Sequence, residues 1–256
     1  MPTIIPIPAF TDNYIWMIRE GPRAAVVDPG DAAPVEARLA ADGVELTAII
    51  ATHHHGDHVG GIPALLRGRD IPVFAPAGER VAGAMRRVAE GDRFELPGIG
   101  VGLRVLDIPG HTAGHVAYVA DGPRWLFCGD TLFAAGCGRL FEGTPEQMWS
   151  SLSKLAALPA ATEVYCGHEY TLANLRFAAA VEPDNAEIAS RSARERAKRE
   201  RGEPTLPTTI GDELATNPFL RAHLAALAAS ASAHAGHTLR QPVEVFAELR
   251  RWKDGF

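Results

Sequence analysis

Residues 48–58 read AIIATHHHGDH, a short apolar run followed at once by four histidines and an aspartate. An apolar run of this length predicts a buried strand, which carries the loop behind it to an edge of a sheet. In extended or turning backbone His53 and His55 project to the same side, while Asp57 and His58 reach a neighbouring volume. One short loop can therefore serve two metal ions.

Three later segments repeat the order of apolar run, glycine and polar side chain. They are VLDIPGHTAGH at 105–115, WLFCGDT at 125–131 and VYCGHEY at 164–170. Glycine lets the backbone turn where a strand ends, so side chains from several strand ends can converge on one sheet edge. The predicted metal ligands are His53, His55, Asp57, His58, His111, Asp130 and His168.

The donor types narrow the choice of metal. Imidazoles with a few carboxylates suit Zn²⁺, Fe or Mn²⁺, whereas Ca²⁺ and Mg²⁺ prefer mainly oxygen ligands. We expect two divalent ions, with Zn²⁺ first and Fe or Mn²⁺ as alternatives. His54 and His115 stay open between ligation and ordinary hydrogen bonding. Asp28 is either a turn former or a residue that orients a ligating histidine.

Composition limits the partners of the 256-residue chain. Its net charge of -6 repels nucleic acid, and no apolar run is long enough to span a membrane. The first residues lack the basic and apolar regions of a signal peptide, and the three cysteines form no C-x-x-C pair. We expect a soluble, cytoplasmic monomer that acts on a small molecule, with reduced cysteines that serve packing.

The pattern changes near residue 170. Before it, short apolar runs and helical stretches alternate between glycines and prolines, which predicts an α/β layered domain at 1–169. After it, Ala, Leu, Arg and Glu predict a mostly helical domain at 170–256. Its helices are predicted at about 171–181, 186–201, 218–230 and 243–252. The basic stretch 191–201 is interpreted as a solvated helix face.

Taken together, these motifs resemble the metallo-β-lactamase superfamily. The residues that carry the resemblance are Asp28-Pro29-Gly30, His53-x-His55-x-Asp57-His58, His111, Asp130 and His168. Within it, four segments resemble the hydroxyacylglutathione hydrolase (glyoxalase II) family: GDTLFAAGCGR at 129–139, FEGT at 141–144, CGHEYT at 166–171 and RRWKD at 250–254. The resemblance implies an αββα sandwich with a dinuclear metal site and a helical C-terminal domain that binds substrate.

It also implies roles for individual residues. His53, His55 and His111 would hold the first metal, Asp57, His58 and His168 the second, and Asp130 would bridge both. Asp57 and Asp130 would take part in catalysis. The glutathione part would contact Arg139, Phe141, Tyr170, Arg250 and Lys253. Phe141 departs from the family, where tyrosine is frequent, so one hydrogen bond to the peptide is lost.

The implied reaction is cleavage of S-(2-hydroxyacyl)glutathione, chiefly S-D-lactoylglutathione, to glutathione and D-lactate by a hydroxide held between the metals. This is the second step of methylglyoxal detoxification. Two alternatives remain: another enzyme of this fold, such as a persulfide dioxygenase, a lactonase or a β-lactamase, and a metal-binding or redox module without catalysis. A mononuclear iron enzyme has no need of Asp57, His58 and His168, which disfavours the dioxygenase.

Overall fold

Strands and short helices alternate along the first half of the chain, as its apolar runs predict. A computed structural model describes residues 1–256 and divides them into two units, 1–107 with 113–129 and 108–112 with 130–256. The first unit contains β1 (Thr3–Ala9), β2 (Asn13–Glu20), β3 (Arg23–Val27), β4 (Glu45–Ile50), β5 (Val73–Pro76), β6 (Arg86–Val88), β7 (Arg93–Glu95), β8 (Gly102–Asp107), β9 (Val116–Ala120), β10 (Trp125–Gly129), α1 (Ala32–Asp42), α2 (Gly56–Val59) and α3 (Ile62–Leu65).

Two sheets form this unit. The first has the order β1-β2-β3-β4-β5-β6, antiparallel up to β3 and parallel beyond it. The second contains β10-β9-β8-β7, all antiparallel. Phe74 of the first sheet stacks on Phe94 of the second with ring centroids 3.9 Å apart, so the sheets pack against each other.

Helix α1 makes the crossover from β3 to the parallel strand β4. It begins behind Asp31, whose carboxylate accepts the Ala33 N–H at 2.9 Å, and ends at Gly43 in the left-handed conformation. The buried β4 then delivers the histidine motif at its carboxyl end, as predicted. Tyr118 of β9 fixes that end, because its hydroxyl donates to the Ala51 carbonyl at 2.8 Å.

The second unit is mainly helical. It contains β11 (Leu132–Phe133), β12 (Gly136–Cys137), β13 (Glu163–Cys166), β14 (Thr208–Thr209), α4 (Pro145–Ala156), α5 (Thr171–Val181), α6 (Ala186–Glu200), α7 (Ile210–Thr216), α8 (Ala225–Ala235) and α9 (Pro242–Asp254). None of the helices in the structure combines the length and apolar character needed to cross a membrane. The predicted boundary at 169 falls inside this unit, between β13 and α5, and stays a prediction.

Three of the four predicted C-terminal helices are confirmed within one or two residues. The helix predicted at 218–230 is wrong at both ends, since α8 is Ala225–Ala235. Residues 218–224 form turns closed by Leu224 N–H on the Arg221 carbonyl, and Gly236 ends the helix in the left-handed conformation. Helix α7 was not predicted. Its signal is Thr209, whose hydroxyl accepts the Asp212 N–H at 3.0 Å and caps the helix.

The interpretation of 191–201 as a solvated face is wrong at its first residue. Arg191 is only 3% exposed, and its guanidinium donates to Glu213 at 2.6 Å. It also donates to the hydroxyls of Thr208 and Thr216. The remaining arginines of α6 lie at the surface, since one helix face packs on α5 and α7.

We therefore expect Arg191→Met to destabilise the protein by about 3–5 kcal/mol, because Glu213 is left as an uncompensated buried charge. The matched control is Arg196→Met on the exposed side of the same helix. Chemical denaturation of both variants measures the difference. Equal midpoints for the two would restore the solvated-face interpretation.

Candidate metal centre

Four imidazole rings lie close together beyond the carboxyl end of β4. The ring of His53 lies 4.2 Å from that of His58, 4.7 Å from that of His55 and 4.5 Å from that of His115, centroid to centroid. His53, His58 and His115 are buried, and His55 is partly exposed. Imidazole rings packed this closely are typical of donors arranged around a cation.

Asp28 organises this group from the end of β3. Its Oδ1 accepts the Thr52 N–H at 2.7 Å, and its Oδ2 accepts the Thr52 hydroxyl at 2.7 Å and His58 Nδ1 at 3.1 Å. Asp28 also has φ +55°, a costly conformation that persists where surrounding contacts impose it. Of the two roles left open for Asp28, these contacts support orientation of a histidine.

The same hydrogen bonds fix which ring nitrogen is available. Thr52 gives its single hydroxyl proton to Asp28, so its oxygen accepts from His53 Nδ1 at 3.0 Å. His58 Nδ1 donates to Asp28, so the neutral form of each ring carries its lone pair on Nε2. The donor atoms of Asp28, His53 and His58 lie within 4.8 Å of one another.

Asp57 is the carboxylate of the histidine motif, and it is partly exposed. Its side chain is 43% exposed, and Asn13 Nδ2 donates to its Oδ2 at 3.0 Å. That oxygen also lies 3.6 Å from His58 Nε2. A Cβ at Gly30 would come within 1.8 Å of the Asp57 carbonyl oxygen, so the predicted Asp-Pro-Gly turn needs glycine at this position.

The two open histidines have protein partners. His54 Nδ1 bonds Glu79 at 2.8 Å, and the buried Glu79 also accepts the Gly114 N–H at 3.2 Å. His115 Nδ1 donates to the Val116 carbonyl at 3.1 Å. Sequence reasoning missed Thr52, Asn13 and Glu79, although Thr52 directly precedes the histidines.

The second unit brings together His111, Asp130 and His168, all buried. Asp130 Oδ2 lies 3.5 Å from His111 Nε2 and 3.3 Å from His168 Nε2. His111 Nδ1 donates to the Arg139 carbonyl at 2.9 Å, so this ring also keeps its lone pair on Nε2. Tyr170 stacks on the His168 ring at 4.7 Å.

The remaining predicted substrate residues lie in the same unit at different depths. The side chain of Arg139 is 64% exposed, with Nε 3.4 Å from Asp254, and the Phe141 ring is largely exposed. Lys253 lies over the rings of Phe177 and Phe256. Burial lowers the pKa of the Lys253 ammonium, and the charges of Arg250, Arg176 and Arg139 lower it further.

Arg250 differs from the other cations. It is 6% exposed, and its Nη1 donates to the Cys137 carbonyl at 2.8 Å while Nη2 pairs with Asp254 at 3.0 Å. Its guanidinium also lies over the Phe219 ring at 5.1 Å. These contacts tie Arg250 to the backbone at Cys137, and its contact with substrate stays a prediction.

Comparison with known proteins agrees with a metal-binding hydrolase fold followed by a helical unit. Residues 9–168 match the metallo-beta-lactamase superfamily, and residues 169–256 match the hydroxyacylglutathione hydrolase C-terminus. A protein of Alkalilimnicola ehrlichii named hydroxyacylglutathione hydrolase is 62% identical over 99% of both chains.

Solved structures show the same fold. The BLEG-1 B3 metallo-beta-lactamase is 25% identical, with a TM-score of 0.65 over 86% of this chain and 99% of that one. TTHA1623 in a di-iron-bound form is 26% identical, with a TM-score of 0.60 over 86% of this chain and all of the other. The predicted fold class is confirmed, and this fold with its histidine and aspartate clusters suits a dinuclear metal site.

Rings hydrogen-bonded at Nδ1, the carboxylates beside them and full-length similarity to a named relative agree with one assignment. The chain belongs to the hydroxyacylglutathione hydrolase family of the metallo-β-lactamase superfamily.

Proposed function

We propose that this protein is a metal-dependent thioester hydrolase that cleaves S-(2-hydroxyacyl)glutathione, chiefly S-D-lactoylglutathione, to glutathione and D-lactate. It would thereby complete the second step of methylglyoxal detoxification. The observation that carries the proposal is that His53, His58 and His111 are each hydrogen-bonded to the protein at Nδ1. Family membership supplies the substrate class.

The proposed centre holds two divalent ions. Following the family pattern, one ion would be held by His53, His55 and His111, and the other by Asp57, His58 and His168. Asp130 would bind both ions. Zn²⁺ is our first choice, and Fe and Mn²⁺ suit the same donor types. The solved structure of TTHA1623 is a di-iron-bound form. When bound, the metals lower the pKa of water toward neutrality and polarise the thioester carbonyl.

The side chains of the protein orient the proposed ligands and accept a proton. Asp28 and Thr52 keep two rings in the required tautomer, and Asn13 steadies the Asp57 carboxylate. Being partly exposed, Asp57 can accept the proton of the attacking water. The departing thiolate needs little assistance, since a thiol of this kind has a pKa of about 8.5.

None of the three cysteines suits a nucleophilic role. All are buried, and burial raises the pKa of the Cys137 thiol to about 11 and that of Cys166 further. Thiolate is the reactive form, so these side chains stay inert. Buried free thiols also fit a reducing compartment, and we propose a cytoplasmic, monomeric enzyme.

For the peptide part of the substrate we propose Arg139 and Lys253 as partners of its carboxylates and Tyr170 and Phe141 as its aromatic contacts. Arg139 and Lys253 supply local positive charge on an acidic protein. We also propose Arg250 as a substrate-binding residue, and its guanidinium holds the Cys137 carbonyl as well.

Replacing a proposed ligand tests the centre. His58→Ala should leave one metal per chain instead of two and lower kcat/KM for S-D-lactoylglutathione at least about a hundredfold. Thiol release and metal analysis of the same sample measure both. The control is His237→Ala, an exposed histidine distant in sequence. Two metals and full activity in His58→Ala would remove it from the centre, and a parent protein with two metals but no thioesterase activity would reject the substrate.

Restoring tyrosine at position 141 tests peptide recognition. One net hydrogen bond contributes about 0.5–1.5 kcal/mol, so Phe141→Tyr should lower KM about two- to tenfold with kcat unchanged. S-D-lactoylcysteamine, which lacks the peptide groups, is the control substrate. An equal gain on that substrate would contradict a contact with the peptide.

The lowered pKa of Lys253 predicts a pH effect on binding. Its ammonium loses its proton at lower pH than that of an ordinary lysine. Because the neutral amine binds a carboxylate less well, KM should rise as the pH increases toward the pKa of Lys253. Lys253→Arg keeps its charge throughout and should give a flatter curve. Initial rates corrected for spontaneous hydrolysis, from neutral to alkaline pH, provide the measurement. Parallel curves for the two proteins would exclude Lys253 as a carboxylate partner.

A further inference from the structure

The hairpin β11–β12 is held by side chains along its whole length. Its strands pair Leu132 with Cys137 and Phe133 with Gly136, and Ala135 in the turn has φ +55°, a costly conformation for a residue with a Cβ. Each residue from 133 to 137 has one backbone atom bound by a buried side chain. A two-residue strand pair has little stability of its own, so these bonds set its position.

The side chains come from three helices. Asn217, which ends α7, places Nδ2 2.9 Å from the Gly136 carbonyl and 3.2 Å from that of Phe133. Glu213 of α7 accepts the Ala135 N–H at 2.7 Å. The other two bonds are Asn174 of α5 to the Ala134 carbonyl and Arg250 of α9 to that of Cys137.

An ion pair behind the hairpin fixes Glu213. Its Oε2 accepts from Ala135 and Asn217, while its Oε1 accepts from Arg191 at 2.6 Å and Thr208 at 2.7 Å. Burying such a pair often contributes less stability than an apolar core of equal size. In this unit, however, the pair holds a carboxylate in one orientation toward a strained turn.

Both ends of the hairpin lead to proposed metal and substrate residues. Asp130 lies two residues before it, and a Cβ at Gly138, directly after it, would come within 1.9 Å of the Asp130 carbonyl oxygen. The next carbonyl, that of Arg139, accepts from His111 Nδ1. A movement of the hairpin would therefore shift Asp130 and Arg139, whose carbonyl is the partner of His111 Nδ1.

We propose that Glu213 and Asn217 are positioning residues for the thioester hydrolysis. Through the backbone of residues 133–137 they hold Asp130 and His111 in the geometry that binds metal, and Arg139 in the position that meets the substrate. Neither touches substrate or metal. This inference rests on the proposed function for its catalytic part, while its effect on metal affinity is independent of the substrate.

The test compares variants that lose or weaken a hydrogen bond to the hairpin with a variant that changes only the neighbouring buried hydrogen bonds. Asn217→Ala removes the donor to two hairpin carbonyls, and the milder Glu213→Gln weakens the bond to Ala135. Thr216→Val is the matched control, because Thr216 bonds Arg191 and the Asp212 carbonyl but no hairpin atom. Metal-loaded proteins are compared for kcat, KM, release of metal to a competing chelator, the visible spectrum of the Co²⁺ form and unfolding midpoint.

We expect Asn217→Ala and Glu213→Gln to raise KM and to weaken metal binding about tenfold or more, with an altered Co²⁺ spectrum. Thr216→Val should match the parent in KM, in metal affinity and in the Co²⁺ spectrum, even where its unfolding midpoint falls as much as those of the hairpin variants. If it shows the same changes as the hairpin variants, or if those variants match the parent, the network serves stability alone and the proposal is overturned. If the parent binds two metals without cleaving the thioester, the proposed function fails, and chelator competition and the Co²⁺ spectrum still decide the positioning role.

Discussion

The buried carboxylate of Asp28 is the constraint on which the histidine motif depends. A carboxylate removed from water is costly unless each oxygen is hydrogen-bonded, and Asp28 meets this condition through Thr52 and His58. Its bonds connect the end of β3 to the residue that follows β4 and set the tautomer of two imidazoles. The left-handed backbone at Asp28 and the close approach of Gly30 to Asp57 follow from the same turn.

The sequence was most informative where the pattern is local. Apolar runs that end at glycine predicted the strands and the positions of the polar side chains behind them, and helical periodicity placed α5, α6 and α9. The start of α8 was predicted too early because 218–224 carries apolar residues at helical spacing, yet turn hydrogen bonds at Leu224 replace the helix there. Helix α7 has only seven residues, too few to give a periodic signal.

Burial of individual charges was not readable from the sequence. Arg191 and Arg196 lie on one helix in the same basic stretch, but one pairs with Glu213 inside the unit and the other is exposed. Arg250 and Lys253 occupy one motif, yet Arg250 donates to the Cys137 carbonyl whereas Lys253 lies over two aromatic rings. The partners lie tens of residues away along the chain, so neither charge nor local spacing distinguishes a structural arginine from one that meets an anion.

The anchoring of the β11–β12 hairpin has a consequence for biosynthesis. The residues that hold it follow at sequence separations of 40, 78 and 113 positions, for Asn174, Glu213 and Arg250. During translation the hairpin therefore leaves the ribosome long before its anchors, and closing such long loops carries an entropic cost. Asp130 reaches its final environment only when α9 has been made. The proposed metal centre would accordingly gain all of these anchoring contacts only at the end of synthesis.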